Sequence, residues 1–144
     1  MGTRSLTFVY DDYTEQQPII NMYRQYDGYP SGHGAELAEF LDGFTIVNGF
    51  GERRSKLANG MGCLAAQIVA NFKTEVGQFY LHPVSATNCG QDYEYHVYQN
   101  EEGEVCVRVK DRGFNAFGLT LSDKDECLFD GPLLRFNEFC KDEA

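Results

Sequence analysis

The sequence predicts an α+β fold: an antiparallel sheet built from hairpins, with two or three helices packed mainly on one face. Three observations predict it. Alternating apolar and polar runs come in two closely spaced pairs, at 5–26 and 93–110, which is the pattern of hairpins. Apolar residues from Met61 to Lys73 recur at helical spacing. Shorter helical patterns follow residue 34 and residue 132. With 144 residues and no linker, repeat or low-complexity tract, the chain reads as a single domain, 1–144. Two hairpins separated by helices also allow a split sheet with one mixed pair.

Ser5 to Tyr10 alternates, with Leu6, Phe8 and Tyr10 on one face and Ser5, Thr7 and Val9 on the other. A polar turn leads to a second strand that opens at Pro18, where a proline is tolerated. Ile20, Met22, Arg24 and Tyr26 line one of its faces; Ile19, Asn21, Tyr23 and Gln25 line the other. Tyr23 to Gly34 then forms an aromatic loop that opens a helix. Gly28, Gly32 and Gly34 supply freedom for positive φ, Pro30 fixes its own φ, and Tyr29 before it is held extended. Ser31 is the candidate cap of a short helix carrying Leu37, Phe40 and Leu41.

Gly43 to Gly60 reads as an irregular, mobile or ligand-covering loop with the basic cluster Arg53, Arg54 and Lys56. In the next helix, Met61, Leu64, Ala65, Ile68, Val69 and Phe72 make a wide apolar face. Gly62, Ala66 and Ala70 add a stripe of small residues, which predicts burial on several sides, against the first helix or a second subunit. Asn59 and Gly60 are read as its cap. Gly77 to His82 is a further strand. In the second hairpin, Tyr93, Tyr95, Val97, Val105, Val107 and Val109 face the core, and Asn100 to Gly103 closes the turn. Glu94, His96, Tyr98, Cys106, Arg108 and Lys110 fall on the opposite, wetter face. Phe114 to Leu121 suggests another short strand. After Gly131-Pro132, Leu133, Leu134, Phe136, Phe139 and Cys140 mark a packing helix with Asp130 as its cap.

Lys plus Arg is 12 against 22 for Asp plus Glu, a formal charge of -10. Such a chain repels nucleic acid and anionic membrane at long range, so a nucleic-acid partner is disfavoured. The same charge keeps open an acidic inhibitor of a host protein, or a nucleic-acid mimic. The five cysteines are widely spaced, with no C-x-x-C. With no signal-peptide pattern and no apolar run long enough for a bilayer, the expected setting is cytoplasmic, with reduced thiols and no membrane partner. No cofactor motif and no clustered metal ligands occur, so neither is expected.

Nucleophilic catalysis has no G-x-S-x-G to rest on. If the protein is an enzyme, His33 is the candidate base, with Glu36 three residues on and Asp27 across the loop to orient it. The stronger pattern is a binding site for an anionic small molecule. Arg24, Tyr26, Tyr29, Ser31, Gly32, His33 and Gly34, with Arg53, Arg54, Asn59 and Gly60, combine aromatic faces, cations and two helix starts.

The opening Met1-Gly2-Thr3-Arg4-Ser5-Leu6, the block Tyr23 to Leu41 and the segment Ala58 to Ala66 resemble a family of small uncharacterised phage and bacterial proteins. The resemblance covers the first half well and the second half loosely, and it carries over no residue roles. It implies a small accessory protein, phage-encoded, of a kind that blunts host defence, some by sequestering cyclic-nucleotide or ADP-ribose-type signals. The resulting expectation is a homo-oligomer that sequesters a nucleotide-like anion without turnover. The alternatives are the acidic inhibitor or mimic, and a nucleotide hydrolase or lyase using His33.

Overall fold

The computed structural model describes residues 2–11, 17–47, 56–113 and 124–143. Strands β1 (Ser5–Tyr10) and β2 (Pro18–Arg24) lead through a π-helical turn (Pro30–Gly34) into α1 (Ala35–Leu41). The short strands β3 (Thr45–Val47) and β4 (Leu57–Asn59) precede α2 (Gly60–Phe72) and β5 (Phe79–His82). Then come β6 (Tyr93–Gln99), β7 (Val105–Asp111), β8 (Glu126–Pro132) and α3 (Leu133–Asp142).

Six strands form one sheet in the order β5-β2-β1-β6-β7-β8. Both expected hairpins are present, β1 with β2 and β6 with β7. The two halves meet along a parallel seam, β1 beside β6, with Phe8 opposite His96. The sheet is therefore mixed and mainly antiparallel, the split alternative rather than an all-antiparallel one. The connection between the halves carries α1 and α2, and a crossover of that kind brings the chain back in its original direction.

All three helices cover one face. Val9, Met22, Tyr95, Val97, Val107 and Val109 of the sheet pack with Leu37, Leu41, Met61, Leu64, Ile68, Phe136 and Cys140 of the helices. The second face is less wet than alternation suggests. Leu6, Phe8 and Tyr10 are buried there in a smaller cluster with Tyr23, Cys89 and Tyr98. Glu94, His96 and Cys106 are buried too. The loop after β5 lies over this face, held by Asn21 Nδ2 donating to the Pro83 and Ala86 carbonyls and Gln91 Nε2 donating to that of Thr87.

Four local expectations are corrected. The stripe Gly62, Ala66 and Ala70 is exposed, and a Cβ added at Gly62 would meet nothing within 4 Å. Helix α2 thus buries one face, because the sheet and α1 already use its large apolar residues. Asn59 makes no capping hydrogen bond from its side chain. Asp130 caps nothing: it lies in β8, which the alternation missed, where its carboxylate accepts from Arg108 Nε at 3.1 Å and from the Tyr98 hydroxyl. Part of the irregular stretch is ordered, since β3 and β4 pair in parallel. The basic pair Arg53 and Arg54 and the expected strand at Phe114 to Leu121 lie outside the described residues.

All five cysteines are free. Among the described residues, no helix is long and apolar enough to cross a membrane.

Candidate functional site

The turn that joins β2 to α1 faces inward. Gly28 donates its N–H to the Thr3 carbonyl at 2.9 Å, Gly32 to that of Tyr29 at 2.9 Å, and His33 to that of Asp27 at 2.8 Å. The Gly34 N–H also points at Tyr29 O, 3.4 Å away. A recess lined by free N–H donors is therefore not formed. Ser31 caps neither the π-helical turn, whose first flanking residue is Tyr29, nor α1, which begins after Gly34. The residue at positive φ in this loop is Asp27, at 61°. The glycines are needed instead for close approach: a Cβ at Gly32 would lie 2.6 Å from Asp27 O, and one at Gly34 3.0 Å from Cys140 Sγ.

His33 is wholly buried. Its Nδ1 lies 3.2 Å from Arg24 Nη1, and since a guanidinium only donates, Nδ1 is the acceptor. Nε2 then carries the proton and donates to Thr7 Oγ1 at 2.8 Å. Phe72, Phe79 and Tyr95 surround the ring, with centroids 5.2, 6.3 and 4.9 Å away. Burial first, then the Arg24 charge, lower its pKa from 6.5 to about 3. His33 is a neutral core group with both nitrogens occupied. Its proposed partners do not join it. The Asp27 carboxylate is at the surface, 3.4 Å from the Tyr29 hydroxyl, and Glu36 pairs with Arg24. The trio His33, Asp27 and Glu36 is thus not assembled for proton transfer.

Arg24 is 3% exposed. Its Nε donates to the Tyr26 carbonyl at 2.8 Å, Nη1 reaches His33 and Glu36, and the guanidinium sits 5.0 Å from the Phe79 ring centroid. It lines a recess of about 540 Å3 together with Phe40, Phe72, Phe79, Lys56, Glu36 and Glu39. Asn71, Thr74 and Gln78 complete the wall. Lys56 donates to the Phe40 carbonyl and stands 5.3 Å from the ring centroids of both Phe40 and Phe44. Of the predicted binding residues that are described, Arg24 alone lines this recess. Tyr26 and Tyr29 are exposed on the outside of the turn, His33 and Gly34 are buried, and Asn59 and Gly60 start α2 elsewhere.

A second polar cluster lies on the other face of the sheet, beneath the loop after β5. Glu94 Oε1 accepts from His96 Nε2 at 3.0 Å, so the His96 proton sits on that nitrogen in the neutral ring. His96 Nδ1 is then the acceptor for the Tyr10 hydroxyl, 2.7 Å away. Glu94 Oε2 accepts from Gln91 Nε2 at 2.8 Å and Arg112 Nη1 at 2.9 Å. Burial works to raise the Glu94 carboxyl, but the hydrogen bonds from His96 and Gln91, with the Arg112 charge, act against it and hold it below its ordinary 4.5. Phe8 and Tyr10 stack on the imidazole, at centroid distances of 5.1 and 5.7 Å. A cavity of about 370 Å3 opens beside them.

Sequence reasoning put Glu94 and His96 on one strand face but missed this cluster. The signal available was their two-residue spacing. Joining them to Tyr10 requires the parallel register of β1 and β6, a contact between positions 86 apart in the chain. Comparison of the chain with protein-family models, curated proteins and solved structures finds no significant match.

Proposed function

We propose that the protein binds a small nucleotide-like anion without turnover, in the recess beside Arg24 and Lys56. The observation that carries this reading is the fixed guanidinium of Arg24. It is held on three sides by Tyr26, His33 and Glu36 and still borders a recess whose walls include three phenylalanine rings. Ordering such a cation in advance removes an entropic cost from binding. A phosphate would sit between Arg24 and Lys56, and a planar base would lie against Phe40, Phe72 or Phe79. Glu36 and Glu39 on the rim disfavour densely charged ligands and can accept from ribose hydroxyls or an exocyclic amine. Sequestration of a defence signal by a phage accessory protein is the biological setting this reading takes.

Isothermal calorimetry with cyclic dinucleotides and ADP-ribose derivatives tests it. Binding is expected for at least one, with the ligand recovered intact by mass spectrometry after long incubation. Lys56→Ala should weaken that binding by roughly tenfold or more, the scale of one lost charge-assisted hydrogen bond. Lys56 is the variant of choice because Arg24 also holds His33. Absence of heat with every ligand overturns the reading. The same reading takes the protein as a homo-oligomer, for which the exposed stripe of α2 offers a surface of close approach. Light scattering that returns the mass of one chain, 16.3 kDa, removes that part.

A further inference from the structure

The pairing of Tyr10, His96 and Glu94 has the order of a nucleophile, its base and the group that orients the base. The Glu94 carboxylate fixes the Nε2 proton of His96, which leaves Nδ1 facing the Tyr10 hydroxyl at 2.7 Å. Gln91 and Arg112 hold the carboxylate in turn, so its orientation is set from both sides. The network borders a cavity of about 370 Å3, walled by Phe8, Pro18 and Val84 and edged by Ser85, Thr87 and Arg112. Arg112 is already matched by Glu94, so the cavity suits a small uncharged molecule rather than an anion.

We propose that Tyr10 is a nucleophile for a small acyl ester bound in this cavity, with His96 as its base and Glu94 as the positioning residue. Tyr10 Oη attacks the ester carbonyl carbon as its proton passes to His96 Nδ1. The carbon–oxygen bond to the alcohol breaks, and the alcohol leaves with that proton. Water then attacks the tyrosyl ester, giving a proton to His96, and Tyr10 departs as the phenol by taking it back. The sum is an ester and water converted to an acid and an alcohol, with no other reactant. This activity is independent of the binding recess, which lies on the helical face of the sheet.

The test uses p-nitrophenyl acetate and peptide-resolved mass spectrometry of acetylated tyrosine on the whole chain. Tyr10 is 8% exposed, against 43% for Tyr26 and 39% for Tyr29, so reactivity governed by access favours the latter two. Activation by His96 reverses the order: Tyr10 is expected to acetylate at least ten times faster than either. The preference should vanish in urea, and His96→Gln should lower the Tyr10 rate at least tenfold while leaving Tyr26 unchanged. Glu94→Gln should lower it at least threefold and remove the downfield NMR resonance of the His96 Nε2 proton. Acetylation that follows exposure in the unaltered protein overturns the proposal, whether or not the variants fold. A Tyr10 preference that survives His96→Gln in a folded protein overturns it as well.

Discussion

Replacing His33 by alanine is expected to cost the fold about 3 kcal/mol and to flatten its response to mild acid. The loss has three parts. The fully buried imidazole leaves a cavity among Phe72, Phe79 and Tyr95. Thr7 Oγ1 loses its donor. Arg24, itself buried, loses one acceptor and keeps Glu36 and the Tyr26 carbonyl. The acid response follows from linkage. The folded protein holds His33 neutral down to a pKa of about 3, whereas the unfolded chain takes up a proton near 6.5. Its contribution is therefore complete above pH 6.5 and is lost as pH falls toward 3, by about 1.4 kcal/mol per unit. Glu94 has its own depressed pKa, so its stabilisation is present above 4.5 and declines only below that. The interval from 6.5 to 4.5 thus separates the response of His33 from that of Glu94. Urea titrations at several pH values in that interval should show a slope in the parent that His33→Ala lowers by about that amount. A variant that keeps the slope would mean that His33 is not the neutral group taken here.

How much of this was legible beforehand depends on the range of the interaction. Alternation identified both hairpins and the core-facing side of the second, because a period of two is local information. Helix α2 was legible from its apolar spacing to within one residue at each end. The parallel seam is open in the sequence only as the split alternative, with no strand pair assigned to it, since β1 and β6 are far apart in the chain and joined through α1 and α2. Strand β8 was missed because Asp130, Gly131 and Pro132 read as a helix start, yet an edge strand tolerates all three. At the candidate site, the sequence points to Arg24 as a ligand-binding cation, and the structure puts it on the wall of a recess. His33 was noticed for its place in the loop, but its burial depends on Thr7, Phe72 and Tyr95, three distant positions. The loop glycines were read for positive φ, and the structure uses them for contact instead. Composition cannot separate those two demands, because glycine meets both.

Gly28 gives the sharpest test of that distinction. Gly28→Ala is expected to destabilise by about 2–4 kcal/mol even though its φ lies outside the left-handed region. The new Cβ would stand 2.8 Å from Arg4 C and Ser5 Cβ and 2.9 Å from Ser5 N. Arg4 C and Ser5 N are backbone atoms where the chain enters β1, the strand paired on both sides within the sheet, and Ser5 Cβ is fixed to that backbone, so none can swing aside as the end of a flexible side chain would. Nor can Gly28 retreat. Its N–H donates to Thr3 O at 2.9 Å, and its carbonyl accepts from the hydroxyl of buried Tyr95 at 2.7 Å. Moving the residue takes from that hydroxyl its acceptor in the core, a penalty of about 1–3 kcal/mol in itself. Gly62→Ala is the matched control. Nothing lies within 4 Å of its added Cβ, and alanine in place of a helical glycine should stabilise by about 0.5–1 kcal/mol. Thermal melts at low protein concentration measure both. A Gly28→Ala protein as stable as its parent would show that the start of β1 yields freely, and would remove close approach as the reason for glycine in this turn.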